Sequence, residues 1–292
     1  IRCEIGAGRI RPRHSKAAPR PLLPYAGQII SVFIGHAMTK RFFPHLSHTG
    51  LLLASLSLAL PVFAGHPLIT DDTGTQGQGH SQLELNADQT RVREGDVRSR
   101  SLVRNATFTH GLDDTLDLAV NLPWQRDSTT GEAVQQGMAD VTLQAKWRFW
   151  QTEQASLALK PVLTLPNGKE QAGRGSGRST QSVQLLGQVQ NGPWTVLANT
   201  GLTHYGNSLD ERSGLWNASA ALLFSASPRW TLAADTGASR NPDRSGPSTL
   251  SYALAGVIYH LNSDIDLDMG YRESLQHGPT ERTVGLGLTA RW

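Results

Sequence analysis

Three carboxylates recur at every second position of one segment: Asp264, Asp266 and Asp268. Acids at alternate positions occur in calcium-binding loops, but such a loop also needs a glycine that folds the carboxylates around the ion. This segment has an extended pattern instead, so successive carboxylates would lie about 6.6–6.8 Å apart along one face. We therefore predict an acidic ladder on one side of a strand and no metal site.

The histidine and serine residues lack the spacing that nucleophilic catalysis would need. A nucleophile and its base on one face of a strand would be two residues apart. The sequence contains His45-x-Ser47 but no such pair after Gly65. The sequence also shows no phosphate-binding loop and no metal-ligand cluster. We therefore predict no enzyme activity and no cofactor.

Charged and amide residues alternate with apolar residues through most of the sequence after His80. If the apolar residues face outward, the polar ones line an enclosed interior. That interior could be a pore with a transverse field, or an ion-pair network that fills a narrow barrel. The predicted lining comprises Glu84, Asp88, Asp117, Asn121, Gln144, Lys146, Arg148, Lys160, Gln184, Asp235, Asp264, Asp266, Asp268, Arg272 and Arg291.

The elements that position these residues are β-strands, because the hydrophobic period is two. The strands are longer than the 5–6 residues that are usual in soluble proteins and approach the roughly 9–11 that span a bilayer. Twelve segments fit this pattern: 80–92, 99–109, 114–124, 137–150, 153–165, 178–190, 193–205, 213–226, 229–240, 249–261, 264–273 and 281–292. Segments 99–109 and 249–261 alternate too poorly to be oriented.

The connections alternate between short turns and longer polar loops. The predicted long loops are 126–136, 167–177, 206–212, 240–248 and 274–280. Short turns on one side and long loops on the other are typical of outer-membrane barrels. We predict an all-β fold: a transmembrane antiparallel up-and-down β-barrel of about twelve strands over 80–292, in contact with outer-membrane lipids.

Aromatic residues support this interpretation. All seven tryptophans lie at or near predicted strand ends, as expected for the girdles at the two membrane interfaces. The last strand ends on Trp292, and a terminal aromatic of this kind is a recognition feature for the barrel-assembly machinery. Ordinary β-propensity of aromatic residues is the alternative explanation, but it does not favour strand ends.

The charge distribution separates the start of the chain from the rest. The 292 residues carry a net charge of +3, and only 17% are charged, against roughly 25% in ordinary soluble domains. Residues 1–64 hold eight basic residues and one acid, so 65–292 are left with 19 basic and 23 acidic residues. A basic whole-chain balance therefore does not indicate a nucleic-acid partner. The only cysteine, Cys3, also lies outside 65–292.

Residues 38–64 have the order of a secretory signal peptide. Lys40 and Arg41 precede an apolar stretch, and the small-x-small triplet at 62–64 predicts cleavage after Ala64. A transmembrane anchor is the alternative, but the stretch is shorter than the roughly 20 residues that a helix needs. We interpret residues 1–37 as an upstream or disordered extension, with a basic nucleic-acid-binding arm as the alternative.

The segment 65–79 carries a distinctive motif, Pro-Leu-Ile-Thr-Asp-Asp-x-Gly-Thr-x-Gly-x-Gly. This run resembles the MetA-pathway of phenol degradation family, and the strand layout is compatible with the rest of that family. The resemblance implies an outer-membrane channel-like barrel, linked in some members to uptake of aromatic or hydrophobic compounds. The matching residues are Pro67, Leu68, Ile69, Thr70, Asp71, Asp72, Gly74, Thr75, Gly77 and Gly79.

Too rich in glycine and aspartate for a strand, this segment could fold into the periplasmic mouth as a plug, with Asp71 and Asp72 pairing cations of the interior. An ordinary flexible leader is the alternative. For the whole protein we predict a monomeric outer-membrane barrel that passes small solutes, with aromatic compounds as candidates. A structural or adhesion barrel with a sealed interior and a lipid-acting enzyme are the rival hypotheses.

Overall fold

The computed structural model describes residues 65–276 and 280–292. The predicted extension 1–37 and signal peptide 38–64 lie outside the described residues. Thirteen strands are formed: β1 Ser81–Glu94, β2 Val97–Gly111, β3 Leu116–Thr129, β4 Gln135–Met138, β5 Thr142–Gln151, β6 Ala155–Thr164, β7 Thr180–Asn191, β8 Trp194–His204, β9 Gly214–Ser227, β10 Trp230–Arg240, β11 Thr249–His260, β12 Ile265–Ser274 and β13 Thr280–Arg291. One short 3-10 helix, Glu170–Ala172, lies between β6 and β7.

The sheet closes on itself. Antiparallel neighbours follow the order of the sequence, and β1 pairs with β13 over its length. At this seam Ser81 and Trp292 exchange two backbone hydrogen bonds, of 2.8 and 3.0 Å. Twelve strands form the wall, so the predicted transmembrane β-barrel is confirmed.

The predicted strand 137–150 is wrong in its first part. The chain forms the short β4, breaks at 139–141 and then forms β5. The break arises because Asp140 turns toward the long loop after β6, where it accepts hydrogen bonds from the backbone of Gly168 and Ser176. The β4 strand pairs with a loop-side extension of β3, so residues 126–129, predicted as loop, are strand.

The two mouths of the barrel differ as predicted. Turns of two to four residues, 112–115, 152–154, 192–193, 228–229 and 261–264, lie at one end. At the other end lie the longer connections 165–179, 205–213 and 241–248. The exception at this second end is the hairpin between β1 and β2, which turns in two residues, Gly95 and Asp96.

Side-chain exposure orients every strand. Apolar residues such as Leu222, Leu286 and Met269 are exposed on the outer face, and their sequence neighbours point inward. One of the two poorly alternating segments, 249–261, forms β11. Its pattern is weak because its inner face also carries apolar residues, Leu254 and Ile258, which are buried inside the barrel. The interior is therefore not wholly polar, because an apolar cluster of Leu197, Ala221, Leu223, Ala233 and Ile258 fills part of it.

Aromatic side chains gather near the short-turn end of the outer face. Ring centroids are 4.4 Å apart for Trp194 and Phe224, 4.6 Å for Trp230 and Tyr259, and 6.2 Å for Phe108 and Trp292. Aromatic rings of this kind favour the boundary between apolar lipid and water. No helix among the described residues is long and apolar enough to cross a membrane.

If the outer face contacts lipid, an arginine introduced there should destabilise the barrel more at mid-membrane depth than near the membrane surface. Leu222 lies midway along β9 and is exposed, whereas Gln181 is exposed at the loop end of β7. We expect Leu222→Arg to destabilise the protein folded in lipid vesicles by about 2–4 kcal/mol, and Gln181→Arg to destabilise it by about 0–1 kcal/mol. Denaturant titration of folding into vesicles measures both. Equal costs at the two positions would contradict the lipid-facing assignment.

Candidate functional site

The segment that precedes β1, residues 65–79, lies inside the barrel, and we call it the leader. It starts against β12 and β13, passes β9 to β11, then β5 and β6, and leaves beside β3. The leader has no strand pairing of its own, so side chains of the wall must satisfy its polar groups.

The first anchor of the leader is His66. Its Nδ1 atom hydrogen-bonds Asp268, and its Nε2 atom lies 3.3 Å from Asp88. Burial disfavours the imidazolium, but hydrogen bonds and charges from Asp268 and Asp88 outweigh this effect and raise the pKa of His66 to about 9. At neutral pH the leader therefore brings one positive charge to two carboxylates of the wall.

A row of glycines makes room for this anchor. Gly256, Gly270 and Gly285 are direct neighbours on β11, β12 and β13. A Cβ atom would lie 2.6 Å from the Pro67 ring at Gly256 or Gly270, and 2.5 Å from the His66 ring at Gly285. Side chains at these positions would displace the start of the leader, so the glycines form its seat.

The second anchor is Asp235 on β10. Its carboxylate accepts hydrogen bonds from the backbone N–H groups of Ile69 and Thr70, at 2.7 and 2.8 Å. The hydroxyls of Thr70 and Tyr252 lie 2.8 and 2.9 Å from its other oxygen. Four donors offset the cost of burying this carboxylate without a neighbouring cation. Next to it, Leu68 packs on the apolar cluster of the interior.

The third anchor is Asp71, which bridges two lysines of the wall. Its carboxylate oxygens lie 2.9 Å from Lys146 Nζ and 2.6 Å from Lys160 Nζ. Burial alone would raise the pKa of Asp71, but the two lysines hold it well below its usual range. Asp72 lies 3.4 Å from Lys146. Of the two alternatives left open for this segment, the structure contains the pairing of Asp71 and Asp72 with interior cations.

The end of the leader is fixed near the short-turn mouth. Thr73 hydrogen-bonds Ser156 at 2.5 Å, and the Gln76 N–H donates to the Asp117 carboxylate at 3.0 and 3.1 Å. At Gly111 a Cβ atom would lie 2.0 Å from the carbonyl oxygen of Gly77, which has a φ of +82°. Glycine is therefore needed on both sides of this crossing.

The other predicted lining residues lie along the inner wall. Arg291 pairs with Asp266 at 2.8 Å, and Arg272 lies 3.7 Å from Glu281. Arg148 donates to the carbonyl of Asp114 at 2.7 Å near the mouth. The remaining predicted residues are Glu84, which accepts from Gln82, and the amides Asn121, Gln144 and Gln184, all on the inner face.

The prediction for Asp264 is wrong. Strand β12 begins at Ile265, and Asp264 lies exposed in the preceding turn, where Asn262 accepts its backbone N–H. An Asn side chain that bonds the backbone two residues on favours such a turn. The predicted ladder of three carboxylates is thus a pair, Asp266 and Asp268.

A chain of three hydrogen-bonded side chains on neighbouring strands resembles a catalytic triad in its order. His260 bridges Thr231 Oγ1, at 3.0 Å, and Asp266 Oδ1, at 2.6 Å. The sequence search missed this arrangement because its members lie on three strands. Thr231 is 1% exposed, so its hydroxyl is buried within the wall of the barrel. Within residues 65–276 and 280–292, no group of three metal-binding side chains is assembled.

Two cavities occupy the interior beside the leader. One has a volume of about 380 Å³ and is lined by the leader together with β1, β2 and β3. The second, of about 390 Å³, lies toward the long loops and is lined by residues such as Arg174 and Tyr205. Lys160, Gln144 and Gln184 line both, so the two spaces are adjacent on either side of the lysine that Asp71 holds.

These features define a transmembrane β-barrel whose interior is occupied by the segment preceding its first strand. The chain belongs to the family described as "Putative MetA-pathway of phenol degradation", whose model matches residues 66–292. The family membership expected from the leader motif is thereby confirmed. A comparison with curated proteins gave no match.

The chain is similar to several solved structures, and the first of them shares its fold. The COG4313 outer membrane channel from Pseudomonas putida F1 is similar at a TM-score of 0.64 and 18% identity, over 76% of this chain and 98% of that chain. The translocator domain of the autotransporter NalP from Neisseria meningitidis gives 0.45 and 15%, over 74% and 89%. The toluene transporter TodX from Pseudomonas putida gives 0.44 and 11%, over 73% and 89%.

The His66 anchor predicts a measurable titration. A group with a raised pKa stabilises the docked state fully below its ordinary value of 6.5, and this contribution is lost as pH rises through about 9. We expect the His66 ring signal to titrate near pH 9 in an NMR experiment on protein labelled at histidine. Asp268→Asn should lower that midpoint, whereas Asp113→Asn in an exposed turn should not. A wild-type midpoint at or below 6.5 would contradict the anchor.

Proposed function

We propose that the protein is a monomeric outer-membrane channel whose passage is controlled by the leader. The observation that carries this proposal is the Asp71 bridge to Lys146 and Lys160, which lies where the two cavities are adjacent. Solute that enters from the long-loop side reaches this bridge before it can reach the leader-lined cavity. Moving the leader would join the two spaces and open the interior.

Polar side-chain anchors suit a movable plug better than a fixed core element. The leader is held by ion pairs and hydrogen bonds at His66, Thr70 and Asp71, and by one apolar contact at Leu68. Water can replace hydrogen bonds with a small net change in free energy, typically about 0.5–1.5 kcal/mol each. A strand of the wall, by contrast, would have to give up its backbone ladder.

For the solute class we propose small aromatic or hydrophobic compounds. Beneath Leu68 lies the apolar interior cluster, with Leu197, Leu223 and Ile258 as its larger members. Displacing Leu68 would present this cluster to the lumen as a surface for an apolar ring. The family description, which refers to phenol degradation, supports the same class.

For delivery we propose export through a signal peptide cleaved near Ala64 and insertion by the barrel-assembly machinery. Trp292 supports the second step, since it is 62% exposed at the end of the closing strand. In that membrane, the outward side chains of the strands would contact outer-membrane lipid. Transport through the barrel needs no catalytic residue.

Removing the leader tests the plug. We expect deletion of residues 65–76 to raise single-channel conductance in planar bilayers several-fold, because the cavities then join. Asp71→Asn should raise the open probability, since it removes the charge that holds Lys146 and Lys160. Asp113→Asn is the matched control in an exposed turn. Unchanged conductance in the deletion variant would favour a sealed structural barrel.

A second experiment tests the solute class in the leader-deleted protein. We expect liposomes to take up a monocyclic aromatic acid faster than a disaccharide. Leu223→Gln, inside the barrel, should slow the aromatic solute several-fold while potassium conductance is retained. Leu222→Gln changes the adjacent residue on the outer face and serves as the control. If Leu223→Gln slowed the aromatic solute and potassium equally, the proposed apolar binding surface would be contradicted.

A further inference from the structure

A group of seven arginines lies on the outer face of the barrel, toward the long-loop mouth. They are contributed by four adjacent strands, β13, β1, β2 and β3, and all seven are exposed. We call them the arginine surface: Arg91, Arg93, Arg98, Arg100, Arg104, Arg126 and Arg282. Their position is unexpected, because residues 65–292 carry more acids than bases.

The strand register places several of these arginines side by side. Arg91 is directly opposite Arg282 on one neighbouring strand and Arg100 on the other. One row further toward the mouth, Arg93 is opposite Arg98. Facing residues on one side of a sheet have Cβ atoms about 4.5–5.5 Å apart, and like charges at that distance are destabilising.

Protein acids balance only a small part of this charge. Within the described residues, one ion pair is recorded on the arginine surface, between Arg282 and Glu273 at 3.2 Å. Arg91 donates to the amide of Gln89, and Arg93 to the carbonyl of Gly95. A stable surface of this kind therefore calls for external anions.

An apolar groove begins immediately below the arginines. Its lower row, toward the short-turn end, comprises Leu288, Leu85, Ala106 and Leu122 on the same four strands. The groove has a volume of about 540 Å³, and the small side chains of Ala87 and Ala106 deepen it. At its upper end the Arg104 guanidinium lies 5.1 Å from the centre of the Trp124 ring.

We propose that this surface binds lipid A of the outer leaflet, with its phosphorylated sugars on the arginines and an acyl chain in the groove. The long-loop mouth is the outer side of such barrels, where this lipid resides. A guanidinium group can donate two parallel hydrogen bonds to one phosphate. The arginine surface therefore suits the two phosphates of the head group. The sequence of charges above and apolar side chains below matches the amphipathic order of one lipid molecule.

The proposal depends on the barrel and its orientation, and not on whether the interior conducts solute. Both phosphate and acyl chain are required by the geometry. A soluble polyanion would use the arginines alone and leave the groove empty. An anionic phospholipid such as phosphatidylglycerol carries a single phosphate and could engage fewer of the paired arginines.

Native mass spectrometry of the purified protein in detergent tests this inference, with EDTA present to remove competing divalent cations. The probe is bisphosphorylated lipid A, compared with its monophosphorylated form and with phosphatidylglycerol. We expect a bound molecule of bisphosphorylated lipid A and at least a tenfold weaker affinity for each of the other two lipids. The variant R91Q/R100Q/R282Q should weaken lipid A binding at least tenfold.

The matched control is R229Q/R240Q/R244Q, which removes the same charge from exposed arginines outside the arginine surface and should leave binding unchanged. Heat-modifiable gel mobility verifies that both variants fold. Ala106→Trp, which fills the groove, should also weaken binding. Equal loss in both triple variants, equal affinity for phosphatidylglycerol, or binding that ignores the groove would overturn the proposal.

Discussion

Every backbone N–H and C=O group of a membrane-spanning sheet must find its partner within the protein, because lipid offers none. This barrel meets the constraint through the seam between β1 and β13. Closure also determines where the side chains lie, because alternate side chains of each strand must point into a narrow interior. Many polar side chains of the strands are thereby confined in the interior. The protein must supply its own partners for those groups.

The leader is the segment that supplies many of these partners. It brings a cation to Asp88 and Asp268, backbone donors to Asp235 and an anion to Lys146 and Lys160. Each is opposite in character to the wall group that it meets, so the electrostatic field of the wall determines the path of the leader. An unpaired charge in such an interior would be costly, which explains why a single segment contacts so many strands.

The sequence predicted those features of the structure that depend on the alternation of apolar and polar residues along a strand. Period-two alternation predicted most strands and their outer faces. The need to pair buried charges suggested interior cations as partners of Asp71, with a flexible leader as the alternative. The orientation of β11 was hidden because its inner face carries the apolar residues Leu254 and Ile258, which are buried in the interior. The glycine row and the Thr231–His260–Asp266 chain could not be predicted, since only the strand register brings those residues together.

The seam also has a consequence for the order of assembly. It joins the first strand to the last, so its hydrogen bonds can form only after all intervening strands have been made. The leader emerges ahead of β1, yet its binding sites are distributed over strands that follow much later. Contacts this distant in sequence form slowly, because a long loop must close first. The interior is therefore completed by the part of the described chain that is synthesised earliest, once the wall that surrounds it exists.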